Sequence, residues 1–213
     1  MISTQNLQTK TYPLLANEQE TFYPESDGNP MAETDKHRDL INELIKTLQR
    51  HFENNPDIYV TGNILVYYVE GNINEAVAPD VMVCFDVQKT DRNNYKIWEE
   101  QTPSVVMEIA SRSTWKIDRV DKRLLYETLG ITEYFVFNPQ YPKKLPALFG
   151  FRLSPKGFYE PLEINENRIF SQELGLDLVD TGATLRLFNP QTKELLPTTD
   201  EIFVKNQDRK SVV

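Results

Sequence analysis

The sequence has a single cysteine, Cys84, among its 213 residues. One cysteine cannot form a disulfide within the chain, and it cannot complete a zinc site built from several cysteines. Cys84 lies in the apolar run VMVCF, so we expect a small buried core residue. A chain with so little cysteine fits a reducing compartment, and we expect a cytoplasmic protein.

Long apolar runs are also missing. No stretch approaches the roughly 20 apolar residues that a transmembrane helix needs, so we expect no membrane segment. The first residues, MISTQNLQTKTYPLL, lack a basic stretch leading into an apolar one, and we therefore expect no secretory signal.

Positive charge is in short supply. The chain has 23 Lys and Arg residues against 32 Asp and Glu, for a formal net charge of −9. Proteins that coat DNA usually have a basic face, so this composition argues against that class. A local basic patch remains compatible with it: the segment RSTWKIDRVDKR, from Arg112 to Arg123, is rich in cations. A second basic cluster comprises Lys143, Lys144, Arg152 and Lys156.

Hydrophobic periodicity predicts the elements of the first half of the chain. Residues 1–32 are polar and interrupted by proline and glycine, which is typical of a loosely ordered lead-in. An amphipathic helix of about 18 residues follows, capped at Thr34 or Asp35. The segments IYVTGNILVYYVE, APDVMVCFDV and SVVMEIAS are rich in β-branched and aromatic residues and are predicted strands.

A second helix is predicted from Trp115 to Leu129, closed by Gly130, before the strand EYFVFN. Because the helix connects SVVMEIAS to EYFVFN by a right-handed crossover, these two strands should be parallel. Short β-like pieces follow. The sequence therefore predicts an α/β (α+β) fold with a mixed central sheet flanked by helices and a β-rich C-terminal extension. We place the main domain at 33–198 and a tail at 199–213.

Two carboxylates interrupt the apolar strands. Glu108 lies inside SVVMEIAS, on the face shared with Val106 and Ala110, and Asp80 begins the run PDVMVCF. A single buried carboxylate is most often a structural salt-bridge partner, because burying an unpaired charge is costly. Two carboxylates on neighbouring strands repel each other unless a cation lies between them, and Mg²⁺ prefers such oxygen ligands. We therefore expect their carboxylates to lie roughly 4–6 Å apart around a metal.

Lys122 is the candidate for a catalytic cation. Asp118, Lys122 and Tyr126 are spaced four residues apart and should line one flank of the second helix. The alternative is an exposed Asp118–Lys122 pair worth roughly a few tenths of a kcal/mol, and the spacing alone slightly favours that alternative.

Several ordered blocks carry a resemblance to a known family. They are APDVMVCF, YKIWEE, PSVVMEIASRST, DRVDKRLLYETLGITEYFVFNP, and GLDLV with ATLRLFNPQTKELLPT. From about His37 to Pro197, the chain resembles the putative restriction endonuclease family, formerly a domain of unknown function, of the PD-(D/E)xK nuclease superfamily. The resemblance implies a restriction-endonuclease-like core and an endonuclease that cleaves DNA with Mg²⁺ or Mn²⁺.

The resemblance also assigns residues. Asp80 matches the aspartate of the PD pair and Glu108 the acidic residue of (D/E)xK, which implies that both bind the metal. The motif lysine would fall at position 110, where this sequence has Ala110. The family resembled commonly lacks that lysine on the strand and takes one from the following helix, which implies Lys122 as the catalytic lysine.

Five further residues are accessory candidates. They are His37 and Glu43 on the first helix, Glu75 shortly before Asp80, and Asp118 and Tyr126 beside Lys122. For His37 the simpler interpretation is a surface residue at a helix start, and for Glu75 a turn carboxylate.

Three functional hypotheses stay open. The first is an Mg²⁺-dependent DNA endonuclease, favoured by the joint presence of Asp80, Glu108 and Lys122. The second is a catalytically inactive module of nuclease fold that binds nucleic acid or protein, favoured by Ala110 and the net acidity. The third is a hydrolase of another phosphate substrate. Because duplex cleavage needs two active sites or one that acts twice, we also expect a homodimer.

Overall fold

The structure is a computed structural model that describes residues 21–26, 34–111, 118–140 and 146–211. Of the predicted lead-in over 1–32, only residues 21–26 are described. The basic residues Arg112, Lys116, Lys143 and Lys144 lie outside the described residues, as does Trp115, where the second helix was predicted to begin.

Helix α1 comprises Asp35–His51, which confirms the first predicted helix. Its N-cap is Thr34, whose side chain accepts a hydrogen bond from the amide of His37 at 3.3 Å. The side chains on its buried face recur at helical spacing and are His37, Leu40, Ile41, Leu44, Thr47 and Leu48. The burial of this face positions the helix against the central sheet.

The central sheet has six strands. In chain order they are β1 (Ile58–Thr61), β4 (Val81–Phe85), β6 (Val105–Ile109), β7 (Glu133–Phe137), β8 (Leu148–Leu153) and β9 (Tyr159–Pro161). They lie side by side in that same order. Strands β6 and β7 are parallel, as predicted, and the other neighbours are antiparallel. The result is the mixed sheet expected from the sequence.

Two smaller sheets complete the β structure. The first contains β2 (Val66–Tyr67), β3 (Ala76–Val77) and β5 (Tyr95–Lys96). The second, in the predicted C-terminal β-rich part, contains β10 (Arg168–Ser171), β11 (Leu176–Asp180), β12 (Leu185–Asn189) and β13 (Glu194–Leu195). Residues 21–26 pack on the first small sheet, where the Tyr67 hydroxyl donates to the carbonyl of Pro24 at 2.8 Å.

The central strands are buried on both faces. Along β6, Val105, Met107 and Ile109 pack into the cluster that contains the apolar side chains of α1. Val106 and Ala110 point the other way, into a second cluster that contains Tyr126. This alternation is the one the sequence predicts, and it puts Glu108 on the side of Tyr126.

The second predicted helix is described from Asp118 onward and is helical there, with one local difference. Asp118–Lys122 form a π-helical turn, and Arg123–Leu129 form the α-helix α2. A π turn has i→i+5 hydrogen bonds and appears mostly as a single turn beside an α-helix, so α-helical periodicity does not reveal it. Gly130 ends α2 with φ of 78°, as predicted.

The last described element is helix α3, Thr199–Ser211, within the predicted tail over 199–213. Arg50 of α1 contacts the start of α3. Its guanidinium donates to the Thr199 hydroxyl and to the carbonyl of Pro197, each at 3.1 Å. No helix in the described parts of the chain is long and apolar enough to span a membrane.

Candidate active site

Asp80 and Glu108 lie on neighbouring strands. Strand β4 pairs with β6 so that Val81 is opposite Met107, and this register places Asp80, the residue before β4, opposite Glu108. Asp80 Oδ2 accepts a hydrogen bond from the amide of Ile109 at 2.7 Å. The PD aspartate is therefore fixed to the strand that carries the second carboxylate.

Lys122 reaches the same place from the π turn. Its Nζ lies 2.8 Å from Glu108 Oε2 and 3.4 Å from Asp118 Oδ1. The Tyr126 hydroxyl, one helical turn later, donates to Glu108 Oε1 at 2.6 Å. Both oxygens of Glu108 thus have a partner on the segment that follows β6. The Asp118–Lys122 pair of the alternative interpretation is present, but it is largely buried and also contacts Glu108.

Burial dominates the electrostatics of this cluster. Glu108 is 1% exposed and Asp118 2%, whereas the Lys122 side chain is 24% exposed and connects the cluster to solvent. Burial, with a smaller contribution from the charges of Asp80 and Asp118, raises the pKa of Glu108 to about 8 despite the nearby Lys122 ammonium. Burial alone would lower the pKa of Lys122, but the charges of Glu108 and Asp118 outweigh burial and raise it.

His37 belongs to this cluster as well. It is 8% exposed, and its Nε2 lies 3.6 Å from Asp80 Oδ2. The simpler interpretation of a surface residue is therefore wrong. Thr34 caps the start of α1, and His37 lies in the first turn of this helix, where its imidazole faces Asp80.

Two of the accessory candidates are engaged elsewhere. Glu43 accepts hydrogen bonds from the Thr47 hydroxyl, the Arg50 guanidinium and the amide of Thr199, so it joins α1 to the start of α3. Glu75 interacts with the hydroxyl of Tyr68. The pKa of that phenol is raised to about 12, mainly by burial and secondly by Glu75. The structure gathers His37, Asp118 and Tyr126 around the predicted centre, and it directs Glu43 and Glu75 to other partners.

Sequence reasoning missed Tyr134. This residue of β7 is fully buried, and its hydroxyl donates to the carbonyl of Asp118 at 2.7 Å. Burial, followed by the charge of Glu108, raises the pKa of Tyr126 and of Tyr134 well above the ordinary value, so both hydroxyls stay protonated donors. The strand pattern of EYFVFN gives no signal for this contact, because it depends on a turn that the sequence does not predict.

The donor set fits a hard divalent cation. Among the described residues, no three His, Cys, Asp or Glu side chains are grouped as a metal cluster. Mg²⁺ does not need three, because it often takes one or two carboxylates and keeps several waters. The buried Asp118 Oδ1 accepts no hydrogen bond within the described part of the chain, and the carboxylates of Asp80, Glu108 and Asp118 outnumber the one ammonium of Lys122. A bound cation would relieve this excess of negative charge.

Comparison with known proteins identifies the family. The model of the Uma2 family, described as a putative restriction endonuclease, matches residues 9–185. The chain belongs to the Uma2 family. The family predicted from the sequence blocks is thereby confirmed, and the Uma2 chain has a nuclease-family fold.

A solved structure agrees with this assignment at the level of the fold. It is a putative nuclease belonging to DUF820 from Anabaena variabilis ATCC 29413, with a TM-score of 0.50 and 13% sequence identity. The alignment covers 68% of the Uma2 chain and 76% of that protein. No curated protein matches the chain. The mixed α+β fold with a restriction-endonuclease-like core is therefore confirmed.

The Uma2 structure buries the residue at position 110, where the motif lysine would fall. Ala110 is fully buried in the second cluster, and its amide donates to the carbonyl of Phe137 at 2.8 Å. A lysine side chain there would have to enter the space that Tyr126 and its neighbours fill. In this Uma2 chain, the ammonium beside the acidic residue comes from the π turn instead.

Proposed function

We propose that this Uma2 protein is an Mg²⁺-dependent endonuclease that hydrolyses phosphodiester bonds in DNA. The observation that supports this proposal most directly is the 2.8 Å contact between Lys122 Nζ and Glu108 Oε2, beside the strand that carries Asp80. The three residues are far apart in sequence, and the fold brings an ammonium and two carboxylates to one end of the β4–β6 pair.

Each residue has a distinct role in the proposal. Asp80 and Glu108 would hold the metal, which when bound would polarise the phosphoryl group and lower the pKa of a coordinated water. Lys122 places a positive charge where negative charge develops on the phosphoryl oxygens. The amide of Ile109 orients Asp80, and the hydroxyl of Tyr126 orients Glu108. Mn²⁺ would substitute for Mg²⁺, because both prefer oxygen ligands.

DNA is the proposed substrate, and a homodimer the proposed assembly. Since the net charge of −9 repels DNA at long range, binding depends on local cations and on the metal. We expect weak, salt-sensitive binding that Mg²⁺ strengthens. Two copies related by a twofold axis would present one active site to each strand of a duplex. Light scattering and the ratio of nicked to linear plasmid would test this arrangement.

Plasmid cleavage tests the function. The wild-type protein should cleave supercoiled DNA with Mg²⁺ or Mn²⁺ and not with EDTA. Asp80→Asn, Glu108→Gln and Lys122→Ala should each lose cleavage while circular dichroism shows a folded chain. The matched control is Lys46→Ala, which removes an exposed lysine of α1 and should cleave normally.

The results separate the three hypotheses. A folded wild-type protein that binds DNA and never cleaves it would support the inactive binding module instead. Hydrolysis of small phosphate esters without cleavage of DNA would support the third class. Normal cleavage by Lys122→Ala would show that the role of the helix lysine is wrong.

A further inference from the structure

A buried tyrosine lies behind the π turn. Tyr134 occupies β7, where it pairs in parallel register with Val106 of β6. Its ring lies 5.0 Å from that of Tyr126, between centroids, and its hydroxyl donates to the carbonyl of Asp118 at 2.7 Å. The phenol therefore extends from the sheet to the first residue of the turn.

The turn needs support from outside itself. A π-helical turn is rare, and α2 continues directly from it, since Lys122 already has helical φ and ψ. The first residue of the π turn, Asp118, contacts the sheet through Tyr134, and the last residue of the turn, Lys122, contacts Glu108. The position of the Lys122 ammonium accordingly depends on where the backbone of Asp118 is held.

We propose that Tyr134 is a positioning residue of the active site, which fixes the π turn so that Lys122 meets Glu108. The catalytic part of this inference rests on the proposed nuclease function. Tyr134 does not touch the metal or the substrate in this account, and it acts through Lys122. The hydroxyl of Tyr134 is the group that matters, because it makes the hydrogen bond to the carbonyl of Asp118.

The chain offers a matched control in Tyr159. This tyrosine of β9 is also buried, its ring stacks on Tyr134 with centroids 6.3 Å apart, and its hydroxyl donates to the carbonyl of Ile131 at 2.9 Å. Ile131 follows Gly130 at the far end of α2. Tyr134→Phe and Tyr159→Phe each remove one buried hydroxyl–carbonyl hydrogen bond, but only the first removes it from the π turn.

Amide hydrogen exchange of the two variants tests the structural part. Both should lower the melting temperature by similar amounts, because each loses one hydrogen bond of the same kind. In Tyr134→Phe, exchange across residues 118–123 should accelerate by about tenfold relative to wild type, since the first residue of the turn loses its hydrogen bond to the sheet. In Tyr159→Phe it should match wild type. Equal exchange in both variants would overturn the inference.

Kinetics test the catalytic part. Tyr134→Phe should lower kcat by about tenfold with KM for DNA unchanged, and Tyr159→Phe should leave both unchanged. Faster exchange with normal kcat would overturn the positioning role, as would an equal loss of kcat in both tyrosine variants. If the wild type cleaves nothing, the proposed function fails, and the exchange comparison still decides whether Tyr134 fixes the turn.

Discussion

A Cβ atom on Gly62 would lie 1.9 Å from the carbonyl oxygen of Asp80 and 2.8 Å from its carbonyl carbon. Gly62 follows β1, and the amide of the next residue, Asn63, donates to the carbonyl of Pro79 at 2.8 Å. The backbone after β1 therefore presses directly on the backbone that carries the PD aspartate. This close approach requires a residue without a side chain.

Gly62→Ala should displace Asp80 and impair the active site. A methyl group at 1.9 Å from a backbone oxygen forces the two segments apart, because backbone cannot move aside as a flexible side chain does. We expect plasmid cleavage to fall by at least about tenfold, with a loss of about 1–3 kcal/mol in the free energy of unfolding.

Gly150→Ala is the control for that loss of stability. A Cβ there would meet the Phe135 ring at 3.0 Å and the Ile169 side chain at 3.1 Å, in the core cluster on the α1 side of the sheet. This variant should be destabilised and should retain cleavage per folded molecule. Equal losses of cleavage in the two alanine variants would show that overpacking alone explains the effect.

Mg²⁺ should raise the melting temperature of the protein. A ligand that binds the folded state alone stabilises it by about 2.7 kcal/mol at a concentration 100 times its dissociation constant. Calorimetric scans with and without Mg²⁺ should show the increase in wild type and not in Asp80→Asn. A shift of the same size in both proteins would place the bound ion away from Asp80.

Glu133 provides a contrast between a structural carboxylate and the proposed catalytic carboxylates. This residue is fully buried and accepts hydrogen bonds from the Arg152 guanidinium at 2.7 and 2.9 Å, from the Ser171 hydroxyl and from the amide of Gln172. Glu133→Gln should cost about 3 kcal/mol in chemical denaturation, because it leaves Arg152 without its ionic partner. Cleavage per folded molecule should stay at the wild-type level, and a selective loss of activity would contradict the structural role.

Cys84 should be inert in the folded protein. Burial raises the pKa of its thiol to about 12, so very little thiolate exists at pH 8. A chromogenic disulfide reagent should react negligibly at pH 8 and completely after unfolding in guanidinium chloride. Fast modification of the native protein would show that the strand β4 opens more readily than its burial indicates.

The sequence predicts those features that depend on local pattern. Apolar spacing and the Thr34 cap define α1, and alternation along β6 assigns Glu108 to the side of Tyr126. The parallel pairing of β6 with β7 follows from the helix between them. These features need no information about which distant residues meet.

Other features depend on contacts between distant segments. A spacing of four residues between Asp118 and Lys122 suits an α-helix, so the π turn gives no sign in the sequence. Glu43 is a plausible accessory ligand until its partner at Thr199, 156 residues later, is known. The burial of His37 likewise follows from where α1 packs, and helical periodicity alone cannot distinguish that site from the surface.

The burial of Ala110 changes how a nuclease signature of this type should be sought. In this chain the ammonium beside Glu108 comes from the π turn, outside the sheet, so the three residues of the proposed site are separated by 28 and 14 positions, at 80, 108 and 122. A search for a lysine two residues after the acidic residue would pass over this chain. Comparing side-chain positions in space would find it, because Lys122 Nζ lies 2.8 Å from Glu108 Oε2 although the two residues are 14 positions apart.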